Sequence, residues 1–542
     1  MIKNTRAWRS AIALAGISAF ALTACTGPSG GGGTTTDNAG GGIITYGTTD
    51  KVVTLDPAGS YDAGSFMLMN QVYPFLMNSK PGSPDPSPDI AESATFTSPT
   101  EYTVKLKTGL KFANGHALTS SDVKFSFDRV VKIADPNGPA SLLSNLDSVK
   151  APDDSTVVFT LKAANDQVFP SVLGTNTGPI VDEEVFPADK IMSDDDIVKA
   201  KPFAGQYTID SYKKNELVSL KANPDYNGLL GKPANDGANI KYYADSNNLK
   251  LDVQQGNIDV AGRSLTATDA ADLEKDSKVK VHKGPGGELR YIVFNFDTMP
   301  FGAKTPEADP KKALAVRQAM ANIVDRDAIA TQVYKGTYVP VYSVIPDGLP
   351  GADKPLKEMY GDGNGKPSLD KAKKAFADAG VSGPVNIKLQ YNPDHYGKSS
   401  GDEYAMVKEQ LEKSGLFTVD LQSTEWVTYS KARTQDAYPV YQLGWFPDYS
   451  DADNYLTPFF LTNNFLGNHF SDPQTEELIL AQASEPDHDK RIKDIEDIQA
   501  RVGELLSTVP LLQGAQVAVA GSGVDGVILD ASFKFRYAPL TK

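Results

Sequence analysis

Ile43-Ile44-Thr45-Tyr46-Gly47, Thr54-Leu55-Asp56-Pro57-Ala58, Gln71-Val72-Tyr73, Pro88-Asp89-Ile90-Ala91-Glu92-Ser93, Gly109-Leu110-Lys111-Phe112-Ala113-Asn114-Gly115 and Leu118-Thr119-Ser120-Ser121-Asp122-Val123 follow one another in that order, and the order decides how the chain reads. The first fragment is β-branched and alternating, which predicts a strand. The stretch from Ser65 to Met77, around Gln71-Val72-Tyr73, reads as a helix. Glu101 to Lys107 alternates as Tyr-Thr-Val-Lys-Leu-Lys and predicts a half-buried strand. A helix opens within 118–123, with a Ser or Asp near its N-cap.

Further fragments continue the pattern downstream. Leu220-Lys221-Ala222-Asn223-Pro224-Asp225-Tyr226 is a turn following a strand. Val316-Arg317-Gln318-Ala319-Met320 precedes Val324-Asp325-Arg326, and Ala315, Ala319 and Ile323 give that segment a helical i, i+4, i+8 stripe. Gly336, Ile345-Pro346 and Gly444-Trp445-Phe446-Pro447-Asp448-Tyr449 come after it. Any one fragment is weak evidence, but their shared order is specific. The chain resembles the bacterial extracellular solute-binding proteins of family 5, the peptide- and nickel-binding lipoprotein components of ABC importers. The resemblance runs from about residue 43 to about residue 540.

The resemblance implies an α/β fold, a two-lobed periplasmic-binding-protein-like clamp of type II. Residues 43–283 with 509–542 would form lobe I, with an extra subdomain at 83–187. Residues 284–508 would form lobe II. Glu288 to Phe296 and Thr508-Val509-Pro510-Leu511-Leu512 read as strands at the two crossings. Taken by themselves, both also read as ordinary core strands.

The same resemblance implies a site. In peptide-binding members an aspartate of the Gly-Trp-x-x-Asp segment pairs with the ligand's α-amino group, and Asp448 occupies that position. A buried ammonium needs such a partner. Trp445, Tyr449 and Trp426 are aromatic candidates for the wall, and Tyr61 and Phe66 lie where the family lines its cleft. Each aromatic reads equally well as core packing. Arg290 and Arg433 are candidates for a ligand carboxylate by position alone. Many members carry Asp-Pro shortly after the aspartate, whereas this chain reads Asp451-Ala452-Asp453-Asn454, which adds competing acids.

Outward at the N-terminus, Lys3, Arg6 and Arg9 precede the short apolar run Ala11 to Ala21. A membrane span needs roughly 20 apolar residues, so the run reads as a secretory signal, residues 1–24. Leu22-Thr23-Ala24-Cys25 resembles a lipobox, which implies cleavage before Cys25 and lipidation of its thiol. Cys25 is the only cysteine. Residues 25–42 then form a Gly/Thr/Ser-rich tether with a mean span of roughly 20–25 Å. The expected location is therefore extracytoplasmic, anchored by lipid at the cell surface or in the periplasm.

The remaining body, residues 43–542, exceeds the ~250–300 residues at which single cores stop growing, so more than one lobe is expected. A net charge of −15 argues against nucleic acid and against direct binding to anionic headgroups. Its plain reading is solubility. The implied partners are a small peptide and the importer's permease subunits. A monomer, no cofactor and no catalytic activity are expected.

Three other functions compete with this reading. Nickel binding finds His116, His282, His395, His469 and His488 without ligand spacing. A cell-wall enzyme would need Ser-x-x-Lys, Ser-Asp-Asn and Lys-Thr-Gly. Ser121 to Lys124, Ser211 to Lys214 and Lys107-Thr108-Gly109 occur in the wrong order, and Ser-Asp-Asn is missing. The same fold binding another small solute, such as an oligosaccharide, opine or other metabolite, is the serious alternative.

Overall fold

The structure is a computed structural model that describes residues 41–542 apart from 263, 264, 394, 398 and 463. The leader, Cys25 and nearly all of the tether lie outside the described residues.

The opening strand forms at Ile43–Thr48 as its alternation predicts. The following helix, Ala63–Val72, is shorter than its sequence pattern. Asp62 caps it by accepting from the Ser65 amide, and the chain leaves helical geometry at Tyr73. Pro74 explains the stop, because the residue before a proline is pushed out of the α region. The strand at Glu101–Leu106 alternates in burial. The helix Ser120–Ile133 is capped by Thr119, with Asp122 completing a reciprocal capping box. Ala315, Ala319 and Ile323 are all buried on the helix Pro310–Ile323, as their stripe requires.

Among the described residues, one sheet of eleven strands spans the molecule. On one side Ile43–Thr48 pairs in parallel with both Gly237–Tyr242 and Val260–Gly262. On the other, Val385–Tyr391 pairs in parallel with both Phe417–Ser423 and Val440–Trp445. Two long strands join these groups, Val279–Phe294 and Thr508–Gly521, paired antiparallel to each other. The expected segment at 508–512 lies within the second of these strands, whereas the one expected from Glu288 to Phe296 lies within the first only as far as Phe294.

The long pair passes from one core to another. Ala518 and Ala520 pack with Ile44, Tyr46, Leu220 and Ile240 in the first lobe. Leu511 and Leu512 pack with Val316, Ile387 and Leu389 in the second. Ladder register breaks between Pro285 and Leu289, where the passage occurs. Gly286 makes the close approach possible: a Cβ there would lie 2.0 Å from the Gly514 carbonyl oxygen.

The first lobe also carries a four-stranded antiparallel sheet, Ala91–Ser98, Glu101–Leu106, Thr156–Leu161 and Leu146–Asp153 in spatial order. With the helix Ser120–Ile133 it encloses its own core around Val104, Phe127 and Phe159. No helix of the described residues is long and apolar enough to cross a membrane.

Candidate functional site between the lobes

The strand Val440–Trp445 ends at the second lobe's edge and releases the segment Phe446 to Tyr449 toward the first lobe. Asn454 holds this segment in place. Its Oδ1 accepts from the Trp445 indole and from the Asp448 amide, both at 2.9 Å, and its Nδ2 donates to Asp448 Oδ2 at 3.2 Å. Sequence reading gave Asn454 no such positioning role. Its signal, an Asn six residues beyond the aspartate, is indistinct from any turn residue.

Asp448 receives a second hydrogen bond, from the Tyr61 hydroxyl, 387 positions away in the first lobe. Burial raises the Asp448 carboxyl above its ordinary value, only partly offset by these two donors. The Tyr61 hydroxyl is raised by burial and by the neighbouring carboxylate.

The aromatic candidates divide. Tyr449 packs against a core of the first lobe. Phe66 meets Phe75 edge-on at 6.2 Å. Trp445 packs edge-on against Phe459 at 4.9 Å and Phe465 at 5.5 Å, within the second lobe's core. Trp426 stacks on His395 at 3.8 Å, and His395 meets the exposed Phe446. Of these residues, Tyr61 and Asp448 are brought together by a hydrogen bond between the lobes, whereas Phe66 and Tyr449 pack against the first lobe's cores and Trp445 and Trp426 against the second lobe's.

The competing acids have other partners. Asp451 makes a two-pronged ion pair with Arg491 at 2.7 and 2.9 Å. Asp453 is 4% exposed and accepts from Thr457 and Gln482. Its carboxyl is pushed up to about 7, first by burial and then by repulsion from Asp451. A folded-state pKa above the unfolded one means that the folded state retains the proton. The associated stability is fully present below the ordinary carboxylate range and is lost as pH rises through about 7. Asp453→Asn should therefore flatten the rise in melting temperature on acidification from pH 8 to pH 5.5, a term of about 2 kcal/mol. A variant with the wild-type pH profile would exclude Asp453 as the source.

Neither arginine singled out in the sequence is free for a ligand. Arg290 is 1% exposed and bonds Glu403, Glu288, Ser400 and the Tyr396 carbonyl. Arg433 donates to the carbonyls of Phe465 and Leu466.

His469 comes together with Asp297 and Asp436, their ligand atoms within 4.8 Å of one another. Lys304 pairs with both carboxylates at 2.7 and 3.8 Å, which offsets one of their two charges. The lysines of the enzyme-like motifs are engaged elsewhere: Lys107 with the Asn227 carbonyl, Lys124 with Asp128, and Lys214 with Asp194. A groove of about 470 Å³ lined by residues 266–268, 332–335 and 399–409 contains neither Tyr61 nor Asp448.

Comparison with known proteins agrees with this architecture. The model of "Bacterial extracellular solute-binding proteins, family 5 Middle" matches residues 85–467. The chain is 24% identical to the dipeptide-binding protein of Escherichia coli over 503 residues, covering 88% of this chain and 89% of the relative. It is also 24% identical to heme-binding protein A of Haemophilus influenzae over 497 residues, covering 86% of each. Its fold is similar to that of the DppA periplasmic binding protein of Helicobacter pylori in complex with the peptide STSA, with a TM-score of 0.69, 20% identity, and 92% of this chain and 98% of that one covered. With its type II two-lobed architecture, the chain belongs to the family 5 bacterial extracellular solute-binding proteins.

Proposed function

We propose that this chain is the lipid-anchored, extracytoplasmic substrate-binding component of an ABC importer, and that it captures short peptides by cleft closure and delivers them to a membrane permease. One observation carries the peptide part: Asp448, held between the lobes, accepts a hydrogen bond from Tyr61 of the opposite lobe. A carboxylate so placed suits a group that both donates hydrogen bonds and carries positive charge. The α-amino group of a peptide does both, and it would take over the position of the Tyr61 hydroxyl.

The remaining parts follow from this placement. Tyr61, Phe66 and Tyr449 supply apolar area from both sides, with Trp445 and Trp426 backing the second lobe. Apolar walls accept varied side chains without reading them by hydrogen bonds. The lobes divide at 43–283 with 509–542 against 284–508, with 83–187 as the added subdomain. The long strand pair is the hinge. A ligand touching both lobes favours the closed state only by its difference in affinity for the two states. No covalent step is required of the protein, which works as a monomer.

A second reading keeps the fold and changes the cargo to an oligosaccharide, an opine or another metabolite. It draws on Trp426 as an aromatic surface, and on the equal identity to a relative named for heme; Asn454, the amide the sequence also offered for it, is buried and already engaged with Trp445 and Asp448. Native mass spectrometry of the purified body lacking residues 1–25 separates the two. A ladder of short peptide masses lost on mild unfolding supports peptides. A single non-peptide mass moves the assignment to the second reading.

The anchor has its own test. Cys25→Ser should shift the protein from the membrane fraction to the medium or periplasm and abolish lipid labelling. Continued labelling of that variant would remove the lipidation assignment.

A further inference from the structure

We propose that His469, Asp297 and Asp436 form a zinc site on the second lobe, at the end away from Asp448, and that the bound ion ties three connections of that lobe together. The inference is independent of which cargo the protein carries.

The three donors converge from distant parts of the chain. Asp297 follows the strand Val279–Phe294, Asp436 precedes the strand Val440–Trp445, and His469 precedes the helix Pro473–Ala483. Backbone bonds clamp these connections to one another: the Asn295 amide donates to the Pro439 carbonyl and the Phe296 amide to the Asn468 carbonyl, both at 2.9 Å. The buried Asn295 side chain then holds both acids. Its Nδ2 donates to Asp436 Oδ1 at 2.8 Å, and its Oδ1 accepts from the Asp297 and Thr298 amides at 2.9 and 3.1 Å. Supporting hydrogen bonds of this kind orient the ligands of metal sites. Along the shared ladder Phe294 pairs with Val440 and Leu289 with Trp445, so about 17 Å of strand separates the cluster from the segment that carries Asp448.

The donor set fits zinc. His469 Nε2 lies 2.5 Å from Asp436 Oδ1 and 3.5 Å from Asp297 Oδ2, and the three ligand atoms all lie within 4.8 Å of one another. Zinc takes imidazole nitrogen and carboxylate oxygen at about 2.0–2.2 Å, which in a tetrahedron sets neighbouring ligands about 3.3 Å apart. Asp297 already meets that spacing, and Asp436 reaches it by moving less than about 1 Å. Carboxylates alone would suit calcium or magnesium, whereas the imidazole favours a transition ion. The charge also fits. Two carboxylates share one cation, Lys304, which leaves a negative charge over. Partial burial works against the Asp436 carboxylate, but the donors Asn295 and His469 hold its carboxyl below the ordinary value, so it is ionised at neutral pH. Lys304 is 64% exposed and is free to swing into water. Binding releases the proton between His469 Nε2 and Asp436 to solvent and displaces Lys304, after which the divalent charge balances the two acids. His469, 42% exposed, leaves room for a water as fourth ligand.

The test uses the body lacking residues 1–25, stripped with a chelator and titrated with zinc, magnesium or calcium by calorimetry. Melting temperature is the second readout, and circular dichroism checks that each zinc-free variant is folded. Wild type should take one zinc per chain and melt higher in its presence, because an ion that binds only the native state stabilises it. Magnesium and calcium should bind at least about tenfold more weakly. His469→Ala and Asp436→Asn should each weaken zinc by about tenfold or more and remove its effect on melting. Lys304→Met should tighten zinc severalfold, since the competing cation is gone. A cluster that is only a set of surface ion pairs gives no such gain. Binding should also weaken on acidification, because the ligands must be deprotonated. Failure of wild type to take up zinc at about 1 mM would overturn the site. So would uptake that His469→Ala and Asp436→Asn both leave unchanged, or a loss of zinc affinity in Lys304→Met.

Discussion

Asp448→Asn should lower affinity for peptides with a free α-amine by about a hundredfold or more. The substitution preserves shape, removes the charge and replaces one of the two acceptor oxygens by a donor NH2. Truncating one side of a desolvated charge pair costs about 2–5 kcal/mol, and each 1.4 kcal/mol is a factor of ten. N-acetylated peptides carry no ammonium and should bind the variant and wild type within a few-fold of each other. Calorimetry on both peptide classes makes the comparison. Equal loss for the two classes would assign Asp448 to local architecture rather than to the amine. The pH dependence has a definite sign. Because burial raises the Asp448 carboxyl, acidification should protonate it sooner than an exposed carboxylate and weaken amine binding, with affinity restored as pH rises.

The largest loss of stability is expected at Arg129. Its guanidinium meets both oxygens of Asp56 at 2.6 and 2.7 Å, and the two side chains are 2% and 0% exposed. Asp56 also accepts from the amides of Ala58 and Met192. The Leu-Asp-Pro segment is thereby tied to the helix Ser120–Ile133, and the loop that delivers Tyr61 follows directly. Arg129→Met leaves a carboxylate buried without its cation, which costs about 3–5 kcal/mol. Urea denaturation followed by circular dichroism measures it. Adding Asp56→Leu to that variant should recover much of the loss, because removing a buried pair together is far milder than breaking it. A single-variant loss under about 1 kcal/mol would mean that water reaches the pair.

Arg129 illustrates why some of the site was hidden in the sequence. Asp56 was visible as part of a recurring fragment, but its partner lies 73 positions away, on a helix that reads as ordinary and amphipathic. Arg290 illustrates the reverse. Its position suggested a ligand carboxylate, yet Glu403, 113 residues on, claims it within a buried cluster. The extra acids after Asp448 seemed to blur the assignment. The fold separates them, giving Asp451 to Arg491 and enclosing Asp453 with Gln482 and Thr457.

The sequence by itself determined the class of fold, the order of the fragments, the strands and the helix starts. Those depend on side-chain alternation, on prolines and on caps such as Thr119 with Asp122, all interactions within a few residues. Only the tertiary structure decided which charges are spent and which remain available. The joining of Asp448 to Tyr61, 387 positions apart, depends on the fold bringing distant segments together. A charge owes its function to its partners and its solvation, and neither is a local property of the chain.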